Sequence, residues 1–162
     1  MRYNKIRKMD ISNGPGVRVS IFMQGCAFNC EKCFNPETHD FNGGKEFTQE
    51  TIDRVLELCK GDHIEGLSVL GGEPMHPNNI EGTTKLVKAF KEKYPNKSVW
   101  AWSGFTYDKD LKDKEVMNYL DVLVDGQYVD SSHNPTLQWK GSSNQRVIDV
   151  QESLHKRKVV LL

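Results

Sequence analysis

"VRVSIFMQGCAFNCEKC", residues 17–33, joins two kinds of sequence in one short stretch. Its first seven residues are rich in β-branched and large apolar side chains, the composition of a strand. The rest is a polar loop that places Cys26, Cys30 and Cys33 with three and then two residues between them. A strand that delivers chemically special residues at its carboxyl end is the unit from which the fold is read.

The same unit recurs along the chain. Apolar runs at 66–70, 98–102 and 121–124 are strand candidates, and they end in GGEP (71–74), WSGF (102–105) and DGQY (125–128). Between them lie helical patterns. Residues 48–60 put Ile52, Val55, Leu56 and Cys59 on one face, with Thr48 as N-cap and Gly61 as stop. Residues 79–94 carry Ile80, Val87, Phe90 and Tyr94 at helical spacing, and Pro95 stops them. A weaker helical stretch covers 109–118, residues 130–145 have loop composition, and KVVLL at 158–162 is a candidate closing strand.

Strands alternating with helices predict an α/β fold with a parallel sheet, because parallel neighbours need crossover connections of about a dozen residues. Ligands of such sheets bind beyond the carboxyl ends of the strands, so the cysteine loop, GGEP, WSGF and DGQY should line one cavity. A full eight-unit barrel takes about 250 residues. The 162 residues present predict a single domain, 1–162, built as an open partial (β/α) barrel with helices on the outside.

Lys and Arg balance Asp and Glu at 22 each, so nothing favours an electrostatic grip on nucleic acid or anionic lipid. The opening MRYNKIRKMDISNG lacks the apolar stretch of a signal peptide, and no segment has the length of a membrane span. The chain reads as cytoplasmic. In a reducing compartment a cysteine cluster points to metal or catalysis rather than to disulfides.

Thiolates select zinc, copper(I) or iron-sulfur clusters. Structural zinc takes four ligands, whereas Cys59, the fourth cysteine, sits on an apolar helix face and reads as a buried small hydrophobe. The five histidines form no pair with zinc spacing, although His39 is near enough to complete a site. A cubane normally takes four cysteines; held by three, it keeps one iron open to a substrate. A zinc-braced interaction module remains an alternative of another class, as does thiol exchange at Cys30 and Cys33.

The Cys-x3-Cys-x2-Cys pattern resembles the signature of the radical S-adenosylmethionine enzymes. The resemblance implies a 4Fe-4S cluster on Cys26, Cys30 and Cys33 whose open iron binds S-adenosylmethionine. It implies that Gly71, Gly72 and Glu73 of GGEP meet the methionyl amino group, that Lys32, Cys33 and Phe34 meet the adenine at backbone level, and that Ser103 and Asp125 lie at the cofactor. Many related activases carry an aromatic residue just before the third cysteine, where this chain has Lys32.

NGPGVR (13–18), and the run from Asn13 to Asn35 around it, are similar to the glycyl-radical-enzyme activases. LSVLGGEPMHP (67–77), VWAWSGF (99–105), VLVDGQYV (122–129) and above all LQWKGSSNQRVID (137–149) resemble the branch serving the anaerobic ribonucleoside-triphosphate reductase. That implies its large subunit as partner, a low-potential electron donor such as flavodoxin, and glycyl radical formation as the activity. An activase of the pyruvate formate-lyase type is the alternative within the class.

Overall fold

In the computed structural model, which describes residues 1–28 and 30–162, the expected strands and helices alternate around one sheet. In chain order the elements are β1 (Arg2–Asp10), β2 (Arg18–Gln24), β3 (Lys45–Glu46), α1 (Gln49–Leu58), β4 (Gly66–Gly71), α2 (Ile80–Lys93), β5 (Ser98–Trp102), β6 (Val122–Asp125), β7 (Arg146–Asp149) and α3 (Val150–Lys156). The sheet has seven strands in the order β3-β1-β2-β4-β5-β6-β7.

Its centre is parallel: β2 pairs with β4, β4 with β5, and β5 with β6. The expectation of a parallel sheet fails at both edges, where β1 runs antiparallel to β2, β3 to β1, and β7 to β6. The reason is connection length. Only a turn over residues 11–17 separates β1 from β2, too short for a crossover. The sheet is therefore mixed.

Alternation along the central strands sorts the two faces. Val19, Ile21 and Met23 of β2, Leu67 and Val69 of β4, and Val99 and Ala101 of β5 share one core with Ile52 and Val55 of α1 and with Leu86, Val87 and Phe90 of α2. The residues between them, among them Phe22, Leu70 and Trp102, face a cavity instead. Helices thus cover one face, and the opposite face is left for the site.

Thr48 caps α1, its backbone N–H donating to Thr51 Oγ1 at 3.0 Å, but the helix ends at Leu58, before Gly61. Cys59 is completely buried, and burial pushes its thiol up to about 12, which fits a packing role. Tyr94 closes α2 just ahead of Pro95. The weak helix at 109–118 resolves into a π turn, Tyr107–Leu111, and a 3-10 turn, Glu115–Tyr119. KVVLL is no strand: it touches β7 through one antiparallel bridge between Leu161 and Ile148. Among the described residues no helix is long and apolar enough to cross a membrane.

The NGPG turn is anchored from below. Asp10, almost fully buried, accepts from Ser12 N and Oγ, Asn13 Nδ2 and Ser20 Oγ at 2.6–2.9 Å. Burial alone would raise this carboxyl, but donors from Ser20, Asn13 and Ser12 outweigh it and hold it at about 2. Gly14 and Gly16 have φ of +103° and +74°, the left-handed backbone that the turn requires.

Candidate active site at the carboxyl ends of the central strands

The four motifs predicted to converge do converge. A cavity of about 620 Å³ is lined by Cys26, Cys30 and Cys33, by Gly71, Gly72 and Glu73, by Trp102, Ser103 and Gly104, and by Gly126, Gln127 and Tyr128. That volume suits a cofactor-sized ligand.

The cysteine loop is fastened at its base by backbone. Gly25 N donates to Thr38 O at 2.6 Å, Cys26 N to His39 O at 3.1 Å, and Cys33 N to Cys30 O at 3.2 Å. From the GGEP turn, Glu73 N donates to Gly25 O at 2.8 Å and Gly72 N to Met23 O at 2.9 Å. Asn79 Nδ2 bridges Gln24 O and Glu73 O. Aromatic rings carry the loop to the other motifs: Phe28 packs edge-on against Phe105, with centroids 4.9 Å apart, and Phe34 meets Tyr128 at 4.9 Å. Burial first and the neighbouring Cys33 second raise the Cys30 thiol, partly offset by the backbone N–H of Tyr128.

Both glycines of GGEP are required by close approach. Gly71 has φ of +113°, and a Cβ on it would lie 2.5 Å from Met23 N. A Cβ on Gly72 would lie 2.6 Å from Gly25 O and 2.7 Å from Thr38 O, both backbone atoms at the base of the cysteine loop. Gly72→Ala must therefore spread that base. The expected outcome is a loss of about 1–3 kcal/mol in a urea titration, together with reduced iron uptake on reconstitution; an unchanged variant in both assays would refute the packing role.

Glu73 is a brace. Its Oε1 accepts from Gly104 N at 2.6 Å, and its Oε2 accepts from Ser103 Oγ at 2.7 Å and Met75 N at 2.9 Å, so it ties GGEP to WSGF. Burial pushes its carboxyl from 4.5 up to about 7, with the three donors only partly opposing. Because the folded pKa lies above the unfolded one, the folded state holds the extra proton between these values. Stability from this group is full below about 4.5 and is lost as pH rises through about 7. Urea midpoints should fall between pH 5 and pH 8, and Glu73→Gln should remove most of that fall. An identical pH slope in the variant would contradict the assignment.

Two predicted site residues stand away from the cavity. Lys32, with φ of +55°, points outward and pairs with Asp130 at 3.5 Å. Asp125 is buried beneath the floor, accepting from Arg146 Nε at 3.0 Å, Arg146 Nη2 at 2.6 Å and Tyr107 N at 2.8 Å. Asp125 and Asp108 hold the Arg146 guanidinium well above its ordinary pKa. Phe34 lines the cavity while its ring is largely exposed.

The chain matches a family model described as a 4Fe-4S single cluster domain over residues 12–148. It is 38% identical over 148 residues to the anaerobic ribonucleoside-triphosphate reductase-activating protein of Vibrio cholerae, covering 90% of this chain and 96% of that protein. It is 37% identical over 150 residues to the protein of that name from Escherichia coli, covering 91% and 97%. With the one from enterobacteria phage T4 it is 37% identical over 147 residues, covering 91% and 93%. The chain belongs to the anaerobic ribonucleoside-triphosphate reductase-activating protein family.

The cysteine loop has the donor chemistry that an iron-sulfur family needs. Three cysteines from one loop line a single cavity, while the fourth, Cys59, lies in the core on the helix-covered side of the sheet. The segment 137–149, the most distinctive part of the resemblance, forms the far wall. Trp139 adopts φ of +68°, and its carbonyl accepts from Trp102 Nε1 at 2.8 Å. Gln145 Nε2 donates to Gly126 O at 3.0 Å and Asn144 Nδ2 to Gln127 O at 2.8 Å, lashing the wall to the end of β6.

Arg7, Ser12 and Asn13 on the rim also line the cavity. Nothing in residues 2–10 marks them as a strand apart from alternation too weak to read, so the rim residue from β1 had no sequence signal.

Proposed function

We propose that this protein forms the glycyl radical of the large subunit of an anaerobic ribonucleoside-triphosphate reductase, with Cys26, Cys30 and Cys33 each holding one iron of a 4Fe-4S cluster. The observation that carries this reading is the convergence of the three cysteines with GGEP, WSGF and DGQY around one cavity; the names of the relatives supply the target. When bound, such a cluster would supply one-electron cleavage of S-adenosylmethionine to methionine and a 5′-deoxyadenosyl radical, which would take a hydrogen atom from the α-carbon of the target glycine.

The chain's own residues bind and orient. Gly71 and Gly72 let backbone approach the methionyl amino group, and residues 32–34 offer backbone to the adenine. Glu73 and Ser103 act together, because their mutual hydrogen bond fixes the two strand ends that face the ligand. Asp125 contributes from beneath, by holding Arg146 and the Tyr107 amide. The cavity on the sheet face opposite α1 and α2 supports the open partial barrel, with the reductase's own loop excluding water from the radical. A low-potential donor such as flavodoxin would supply the electron in the cytoplasm.

The experiment is anaerobic reconstitution with iron and sulfide, reduction, and addition of S-adenosylmethionine. Methionine and 5′-deoxyadenosine should form in equal amounts. A chain that binds zinc, assembles no cluster and leaves S-adenosylmethionine intact would overturn the proposal at its first step.

A further inference from the structure

Lys5 and Arg7 lie two residues apart on β1 and turn to one ring. Lys5 Nζ and Arg7 Cζ each stand 4.9 Å from the ring centroid of Phe22, the β2 residue on the cavity side of the sheet. It is therefore the guanidinium of Arg7, and not only its backbone, that stands at the cavity rim, and both side chains remain partly exposed. A ring face attracts a cation, which fixes where the two stems lie. It also leaves two like charges within about 10 Å of each other, a Debye length at 0.1 M salt.

Among the described residues, neither charged group makes a hydrogen bond, and each has one distant carboxylate: Glu37 Oε1 lies 3.9 Å from Lys5 Nζ, and Asp10 Oδ2 lies 3.9 Å from Arg7 Nη1. Asp10 is already engaged, its oxygens accepting from Ser12, Asn13 and Ser20. Glu37 is half-exposed on the 3-10 turn Pro36–Thr38, where such a pair is weak. An arginine fork is built to take a carboxylate through two parallel bonds, and the Arg7 fork has its donors open to one.

Position narrows the occupant. Across the ladder Lys5 faces Phe22 and Arg7 faces Ser20, which precede Cys26 by four and six residues. At 3.3 Å per residue that is roughly 13–20 Å of strand, so the anion that suits the pair belongs to what crosses the rim and not to the cysteine loop. The way in is open as well: β3 pairs only with Arg2 and Tyr3 of β1, short of the two cations.

We infer that Lys5 and Arg7 form a carboxylate-binding site for an acidic side chain on the segment of the reductase large subunit that carries the glycine into the cavity, Arg7 through a bidentate pair and Lys5 through its charge. The inference rests on the proposed function above and adds a docking contact to it.

The test measures glycyl radical formation against the concentration of the large subunit, using the reconstituted protein at about 0.05 M and about 0.5 M salt. At low salt Arg7→Gln should raise the half-saturating concentration about tenfold with the saturating rate unchanged, and Lys5→Gln about threefold. Both differences should shrink to within about twofold at high salt, where the charges are screened. Arg7→Lys, which keeps the charge and loses the fork, should fall between wild type and Arg7→Gln. Half-saturation equal to wild type in both glutamine variants overturns the inference. So does an increase that high salt leaves intact, which would reflect packing on Phe22. A loss of S-adenosylmethionine cleavage without the subunit, as large as the loss with it, also overturns the inference, because the carboxylate held would then be the cofactor's. If Arg7→Gln does not fold, Lys5→Gln decides. Wild type that cleaves S-adenosylmethionine and forms no radical on the subunit at any concentration overturns the proposed target, and this inference with it.

Discussion

Alanine at Cys26, Cys30 or Cys33 is expected to abolish cluster assembly and radical formation while leaving the fold in place. The three cysteines are only partly buried, and backbone hydrogen bonds and the rings of Phe28 and Phe34 fasten the loop that carries them. Stability should therefore move by about 1 kcal/mol or less, as at sites with little packing to lose. Iron should drop from about four per chain, the content of one cubane, to a small residue. Cys59→Ala provides the opposite pattern. Its side chain is 0% exposed among the core residues, so the variant should lose about 1 kcal/mol of stability to the smaller side chain and retain its iron. Iron analysis with urea titration on the four variants separates a ligand set of three from any other. Retention of the full cluster by any one of the three single variants would contradict the assignment.

Methionine at Arg18 is expected to be the most damaging substitution outside the cysteine loop. Arg18 is 0% exposed, and among the described residues its hydrogen-bond acceptors are neutral. Its guanidinium donates to Ser68 Oγ at 2.8 Å, to Ser98 Oγ at 3.0 Å, and to the carbonyls of Leu67, Ser98 and Pro15 at 3.0–3.2 Å. Burial pulls its pKa down to about 10, against the attraction of Glu65 and Asp121, so it stays charged at neutral pH. One side chain thus ties β2, β4, β5 and the NGPG turn together. Removal strands several buried acceptors at once, for an expected loss of about 3 kcal/mol or more, a large part of a typical folding free energy. Lysine should not rescue it, because a point charge cannot reproduce the planar fork. The NGPG turn would also lose the bond from Arg18 to Pro15 O. Urea unfolding of Arg18→Met and Arg18→Lys tests this, and a midpoint equal to wild type in either would refute it.

The central strands were legible because burial imposed a continuous apolar run with a sharp polar break, as in VRVSIFM before the cysteines or GLSVL before GGEP. Their convergence followed from topology, since parallel strands present their carboxyl ends on one side. The edges were less legible. β1 pairs on both sides yet is mostly half-exposed, and RYNKIRKMD mixes charge and apolar residues without a clear period. β7 lies inside a motif whose polar composition reads as loop, and its antiparallel direction is set by its pairing with β6 and not by side-chain pattern.

At the site, residue type alone could not separate groups facing the ligand from groups bracing it. Asp125 sits at a strand end like Ser103, but a distant arginine, Arg146, turns it into a buried anchor. Lys32 adjoins a cysteine, but its left-handed backbone sends it outward to Asp130. The roles of Trp139, Asn144 and Gln145 depended on where the 137–149 segment docks, which no local periodicity encodes.

The most direct measurement is electron paramagnetic resonance of the anaerobically reconstituted, reduced protein mixed with S-adenosylmethionine and the large subunit of the anaerobic ribonucleoside-triphosphate reductase. The expected spectrum contains the doublet of a glycyl radical on the subunit, absent when Cys30 is replaced by alanine. An assembled cluster that cleaves S-adenosylmethionine yet yields no such doublet would contradict the assignment of this protein's target.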